Sequence, residues 1–292
     1  MAITTSSIAL PARVSEKIIA NALEESAVLR LVDNKIRIKH AGEAIPVIAG
    51  DPTAYVVGEG QVKTNSDSSL ATVTMKPKTF AVIEAFSNQF RDDNEALYQE
   101  LVARLPRVIA QKFDDEVFHG TTSANFHTLA GVSTVSLGGG TAPWSQLISA
   151  RAAVEGANGE LTAWAMANQG ITALLGEVDG ASRPLFVGGD TAIGGIGAIA
   201  GAPVVKAKAA YKAGVSSNPD IIGYAGDWSN AVVGIARDVN IAISDEATLT
   251  VTGGTLNLFE SNMFAVRCEF TLGFITGFAS SNVPTQFVAI TE

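Results

Sequence analysis

The chain has 292 residues, enough for one large domain or two modest ones with a sizeable core. Hydrophobic residues make up 47% and charged residues only 17%, against about 25% charged in a typical soluble chain. A formal net charge of −9 argues against a protein that grips nucleic acid through a basic groove, and the single cysteine, Cys268, excludes an intrachain disulfide framework or a thiolate zinc cluster.

So weakly charged a surface implies either an unusually large core or a chain that covers much of its surface with copies of itself. The opening MAITTSSIALPARVSEK shows neither a basic leader nor an apolar block. The longest apolar run, Ile193 to Val205, is short for a membrane span and broken by glycines. These features predict a soluble protein made in a reducing cytoplasm.

In chain order, Val14 to Val32 reads as a short helix, with Ser15 as N-cap and Ile18, Ile19, Ala22, Leu23 and Ala27 on one face. It has little beside it in sequence to pack on and behaves as an arm. Lys35, Arg37 and Lys39 then alternate with Ile36 and Ile38, a half-exposed strand with one basic edge; a weak polyanion contact is the other reading. From Ile45 to Ser87 the period becomes two. IPVIAG and TAYVVGEGQV lead out, TNSDSS turns, and ATVTMKPKTFAVIEAFS leads back with Val73, Met75, Phe80, Val82 and Phe86 along it. Pro77 cannot donate to a ladder and marks a bulge or an edge. A two-stranded ribbon is marginal alone in water, so its apolar side needs its own body or a neighbour.

Asp92 to Gly120 reads as one long amphipathic helix. Leu97, Leu101, Leu105, Val108, Ile109 and Phe113 recur at three- and four-residue steps, with Glu100, Arg104, Arg107, Gln111 and Asp114 opposite. Asp92 and Glu95 resemble a capping box, Gly120 a stop, and Pro106 predicts a kink. Asp114, Asp115 and Glu116 fall at the unfavourable end of the dipole, which calls for screening by water or for basic residues from another chain. Beyond it, His119 to Gly140 reads as loop, Trp144 to Val154 as helix, Leu161 to Met166 as strand and Gln169 to Glu177 as helix. Arg183 to Phe186 and Ala202 to Lys208 read as extended, either side of the glycine-rich Gly188 to Gly201. The rest, Ile221 to Ser244 and Leu249 to Ile290, is strand-rich, with Phe264, Val266, Cys268 and Phe270 on one face.

No convincing active site emerges. Gly195, Gly197 and Ala200 form a G-x-G-x-x-A element with Asp220 about twenty residues on, the outline of a dinucleotide loop, but Pro203 breaks the helix such a loop needs. His40, His119 and His127 do not pair at ligand spacing, and no metal or cofactor is expected. His119 beside the acidic run is either a polar helix end or a hydrolytic cluster. Cys268 in an apolar strand reads as a small buried hydrophobe.

The order IPVIAGDPTAYVVGEGQVKTNSDSS, VTMKPKTFAVIEAFSNQFRDD and a long helix ending in DDEVFHG resembles the major capsid proteins of tailed bacteriophages, the HK97-like (Hong Kong 97) fold family. TAWAMANQ, GAPVV, GDWSNAVVGIARDVNIAIS and FAVRCEFTLGFITGFASSNVPTQFVAI continue the likeness across nearly the whole chain from about Val14. The resemblance implies an α+β fold: an N-terminal arm (1–44), an extended β-hairpin loop (45–88), a peripheral domain with the spine helix (89–125 and 230–292), and an α/β axial domain (126–229). Glu59, Lys63 and Pro77 would belong to the extended loop over a neighbouring subunit. Leu101, Leu105, Pro106 and Ile109 would belong to the spine, and Gly194, Gly195 and Gly197 to a tip at the capsomer axis.

What the family does then becomes the expectation: a structural, non-enzymatic subunit that forms hexamers and pentamers of an icosahedral head around double-stranded DNA. It would assemble in the host cytoplasm and reside in the virion. Its partners would be itself and, in some cases, a scaffolding, portal or decoration protein. With no long coiled segment ahead of residue 14, a separate scaffold or none is implied. One branch of the family links a loop lysine to a neighbour's asparagine; Lys63 is the lysine so placed, with Asn230, Asn240, Asn257, Asn262 and Asn282 as unresolved partners. An encapsulin-type nanocompartment shell is the alternative, and a nucleotide-binding enzyme a more distant one.

Overall fold

The computed structural model describes residues 26–50, 52–93, 95–137, 143–176, 197–215, 218–251, 254–276 and 284–292. The expected arm helix reaches into this set only as α1 (Ala27–Leu31). Ser26 is extended, and its side chain accepts from the Leu29 N–H, so the helix begins there rather than running through from Val14. Ser15 lies outside the described residues. A short strand, β1 (Asn34–Arg37), follows, with Lys35 and Arg37 exposed.

The ribbon is β2 (Glu43–Gly50) antiparallel to β3 (Ser69–Met75), with Glu43 opposite Met75 and Ile45 opposite Val73. Its pairing stops at Gly50 and Ser69. TAYVVGEGQV, expected to continue the outgoing limb, carries no regular pairing. Past Pro77 the chain enters β4 (Lys78–Ser87), which the sequence counted as the same returning limb. It is instead a strand of a separate four-stranded sheet. Pro77 thus sits where the chain changes sheets, outside any strand, and the preceding Lys76 N–H donates to the Asn125 carbonyl at 2.8 Å.

The predicted long helix divides into α2 (Asn88–Asp93) and α3 (Glu95–His119), so Asp92 lies inside a short helix and caps nothing. With 25 residues, α3 is about 37 Å long. It runs without interruption through Pro106, which is buried; the ring removes only the donor for the Val102 carbonyl. The region after α3 contains β5 (Ser133–Ser136), where a loop was expected, and then α4 (Pro143–Gly156), β6 (Ala163–Met166) and α5 (Asn168–Leu175). Next come β7 (Ala198–Ile199), β8 (Ala202–Lys206), β9 (Ile221–Gly226), β10 (Ala231–Ser244), β11 (Thr248–Val251), β12 (Gly254–Asn257), β13 (Met263–Thr276) and β14 (Phe287–Thr291).

Two sheets organise these elements. The first has the order β1-β10-β13-β4, and the second β5-β14-β9-β6-β8-β7. The last strand, β14, counted from the sequence with the spine unit, therefore pairs within the second sheet, beside β9 and β5. On the first sheet, alternate residues Phe264, Val266, Cys268, Phe270, Leu272 and Phe274 are buried toward α3. Leu105, Ile109, Phe113, Val117 and Phe118 answer from the helix, and Leu101 packs at the margin. Phe80 and Phe113 meet edge-on at 5.6 Å, as do Phe86 and Tyr98 at 5.5 Å. The second sheet is buried on both faces: Ala163, Ala165, Tyr224 and Phe287 join the spine core, while Trp164, Met166, Ile222 and Val288 pack with α4 and α5. One core thus spans both sheets, bridged where Phe118 meets Tyr224 and Trp228.

The opposite face of the first sheet is half covered. Met75, Ile38 and Ile275 form a small buried cluster there, with Ile45 and Val73 of the ribbon root packed against it. Gly234 and Gly273 are direct cross-strand partners, and a Cβ on either would run into the Met75 sulfur and the Ile38 side chain. The ribbon is seated by a thioether in a two-glycine notch.

Candidate assembly surfaces

The ribbon tip has no cover from its own body. Every residue from 52 to 68 except Ser66 is exposed, including Tyr55 (52%), Val56 and Val62 (90%). Glu59 and Gly60 form the turn, closed by a Gln61 N–H to Gly58 carbonyl bond of 3.2 Å, and Lys63 stands exposed on the way back. The Thr53 N–H donates to the Ser66 hydroxyl at 2.6 Å, a bond that ties the tip's two ends. Exposed β-branched and aromatic side chains cost a monomer solubility and contribute nothing to its core. The loop residues Glu59 and Lys63 are thereby placed on the outermost part of the ribbon, with Pro77 at its root.

The spine holds its predicted residues inside rather than at a surface: Leu105 and Ile109 are buried, as is Pro106. Its acidic end departs from both readings made from the sequence. Asp114 is buried, not screened by water, and its partners come from the same chain rather than another. The Ser26 hydroxyl donates to Asp114 Oδ1 at 2.5 Å, the Ala27 N–H to Oδ2 at 2.7 Å and the Val28 N–H to Oδ1 at 3.4 Å. A carboxylate near the carbonyl end of the spine thus clasps the amide end of α1. Burial pushes its pKa up from 3.8 to about 7, opposed by those three hydrogen bonds. Nothing in the local pattern announced this, since the partners lie 86 to 88 residues upstream. Asp115 and Glu116 take ordinary cations, Lys112 and Lys78, each at 2.6 Å.

His119 is a polar helix end. Its Nε2 lies 2.8 Å from the Ala209 carbonyl and its Nδ1 3.1 Å from the Tyr224 hydroxyl, and burial lowers its pKa. Cys268 is buried with its pKa pushed up to about 12 by desolvation, so it is no nucleophile. Among the described residues, no three His, Cys, Asp or Glu side chains gather as a metal site would require, and no helix is long and apolar enough to cross a membrane.

The dinucleotide outline is overturned by the fold. Ala200 (φ 49°) and Gly201 (φ 86°) make the tight turn of the β7–β8 hairpin, with Ile199 opposite Ala202, so no helix follows the glycines. Asp220, the candidate ribose carboxylate, accepts from the Tyr211 hydroxyl at 2.7 Å and the Gly214 N–H at 2.8 Å. Gly197 is exposed, and a Cβ there would meet nothing within 4 Å; Gly194 and Gly195 lie outside the described residues.

An overhanging ribbon, a long spine under a four-stranded sheet and a second mixed sheet are the parts the sequence resemblance implies. The model of the phage capsid family matches residues 7–275. The chain belongs to the phage capsid family. Among curated relatives, the probable major capsid protein gp17 of Mycobacterium phage D29 is 24% identical over 284 residues, covering 92% of this chain and 86% of the relative. Its counterpart in Mycobacterium phage L5 is 24% identical over 273 residues, covering 86% and 81%. A solved structure from Mycobacterium phage Adephagia superposes with a TM-score of 0.71 at 20% identity, over 91% of this chain and 89% of that one. One from Microbacterium phage Oxtober96 gives 0.70 at 22%, over 91% and 90%. The capsid of an empty GTA particle gives 0.65 at 11%, over 100% and 94%. The fold is the HK97-like α+β fold, and the chain is a major capsid protein, a structural component of the virion. The encapsulin alternative is not favoured by these relatives.

Proposed function

We propose that this capsid subunit assembles into hexamers and pentamers of an icosahedral head enclosing double-stranded DNA, built in the host cytoplasm. The observation that carries this is the ribbon tip, an apolar, β-prone overhang without cover from its own chain. Copies related by symmetry give each tip a receiving surface, and many weak contacts repeated around a closed shell become collectively strong. In this reading 1–44 serves as arm, 45–88 as extended loop, 89–125 with 230–292 as peripheral domain and 126–229 as axial domain. β4 and β14 cross those bounds to bind the parts together. Glu59 and Lys63 face the neighbour, and the segment around Gly194, Gly195 and Gly197 lies toward the axis. The acidic balance suits a container that does not hold its genome tightly.

The contacts are non-covalent. Three of the asparagines weighed as partners for Lys63 are already engaged: Asn230 Nδ2 donates to Asp227 and Gln286, Asn257 Oδ1 accepts from the Phe259 N–H, and Asn262 Oδ1 accepts from Asn88. Scaffolding, portal or decoration proteins are accessory in this scheme. Electron microscopy and light scattering of the purified protein test it. Closed shells with pentameric and hexameric units are expected; a chain that stays monomeric across salt, pH and concentration overturns it.

A further inference from the structure

The tip is more than an apolar overhang, because its backbone is also unpaired. Tyr55, Val56 and Val57 have strong strand preference, yet the ladder of β2 and β3 ends before them. Such a segment lacks a strand to pair with. At the far side of the first sheet lies the complement. β4 closes that sheet, pairs on one side only with β13, and at ten residues is the longest edge strand among the described residues. Native proteins shield long edges with lysines, prolines, bulges or brevity. The opposite edge, β1, is protected in that way: it has four residues, with Lys35 and Arg37 in it and Lys39 just beyond. The interior of β4 has no such protection. Thr79, Ala81 and Ile83 are exposed on the face away from α3, Ile83 at 52%, and the register with β13 is continuous from Met263 to Leu272.

We propose that in the assembled shell the segment Ala54–Val57 of one copy adds as a fifth strand to the β4 edge of a neighbouring copy. This rests on the capsid reading above and specifies which edge receives the ribbon and through which atoms. Backbone N–H and C=O groups of the tip complete the free side of β4, and the exposed aromatic and β-branched side chains of the tip lie beside Thr79, Ala81 and Ile83. The strand that leaves the ribbon root thus becomes the strand on which the next ribbon docks. Each subunit donates through its tip and receives through the strand that follows it, a head-to-tail contact that closes into a ring. Because backbone atoms carry the bond, the contact tolerates side-chain changes in the tip but not loss of its amides.

Hydrogen exchange on the unmodified protein reads this directly. Amides of Ala54–Val57, and those of Lys78–Ser87 that do not face β13, are expected to exchange at least about tenfold more slowly in shells than in free subunits. Val56→Pro and Val57→Pro remove adjacent donors, one of which must point at the receiving edge. One of the pair is expected to raise the threshold concentration for assembly at least about tenfold, while Val56→Ala and Val57→Ala change it less than about threefold. Oxidised shells carrying Val56→Cys with Ile83→Cys are expected to give covalent chains between copies, whereas Val56→Cys with Lys35→Cys gives none. Shells in which 54–57 stays unprotected, or in which the tip links to position 35, overturn the proposal and leave the capsid reading standing. So does protection of β4 by the N-terminal residues of another copy in place of the tip. A wild-type chain that never forms shells removes the capsid reading, and this proposal with it.

Discussion

A carboxylate in the last turns of a helix faces the carbonyl end of the dipole, and exposure is its ordinary remedy. Asp114 is buried instead, between the spine and α1, with a hydroxyl and two amides as its donors. The three bonds do not offset desolvation, so the folded chain binds a proton there more tightly than the unfolded chain, at about 7 against 3.8. Between those values the folded state holds the extra proton. The contribution of this group to stability is therefore fully present below about pH 4 and is lost as pH rises through 7, a swing of roughly 4 kcal/mol. Asp114→Asn keeps an acceptor for the Ser26 and Ala27 donors but cannot titrate. Denaturant unfolding of the two proteins from pH 4 to 8 is expected to show the wild type losing stability relative to Asp114→Asn by that order. Parallel curves would mean that the carboxylate stays ionised throughout. Cys268 allows a simpler check: buried and held as a thiol, it is expected to resist maleimide labelling until the chain is unfolded.

Among the elements, the ribbon depends on its root. Met75 fills the notch over the Gly234–Gly273 pair, with Ile38 beside it. Gly234→Ala sets a methyl against both side chains, and overpacking of this kind costs about 1–3 kcal/mol. Met75→Ala empties the notch and costs about 2–5 kcal/mol. In the double variant the added methyl finds the space the thioether left, so the two losses are expected to sum to more than the measured total. Strict additivity in urea unfolding would mean that the notch is not where the ribbon is held. The sequence shows part of this. Val73 and Met75 share one parity, Phe80, Val82 and Phe86 the other, and a period-two pattern that slips by one residue marks a chain changing faces between Lys76 and Lys78. The spine was legible because its apolar residues repeat locally at helical steps, as was the buried face of β13. The partner of β14, the donors of Asp114 and the notch under Met75 were not, because each joins residues far apart in the chain.

For the whole molecule the question is which parts serve the fold and which serve the shell. The tip contributes almost nothing to the former, since residues 52–68 are exposed apart from Ser66, and β2 and β3 are already paired up to Gly50 and Ser69. Replacing residues 51–68 by an Asn-Gly turn would close the two strands as a two-residue hairpin, whose primed turn suits their twist. The shorter loop costs less entropy to close, and no buried side chain is lost. The shortened subunit is therefore expected to unfold within about 1 kcal/mol of the full chain, a shift of about 2–4 °C in melting temperature. Its assembly is expected to fail outright, because the receiving surfaces remain but nothing reaches them. Sedimentation under conditions where the intact chain closes shells separates the two effects. A shortened chain that melts far earlier would show that the tip belongs to the subunit's own fold. One that melts normally and still builds closed shells would place the decisive contacts elsewhere on the molecule.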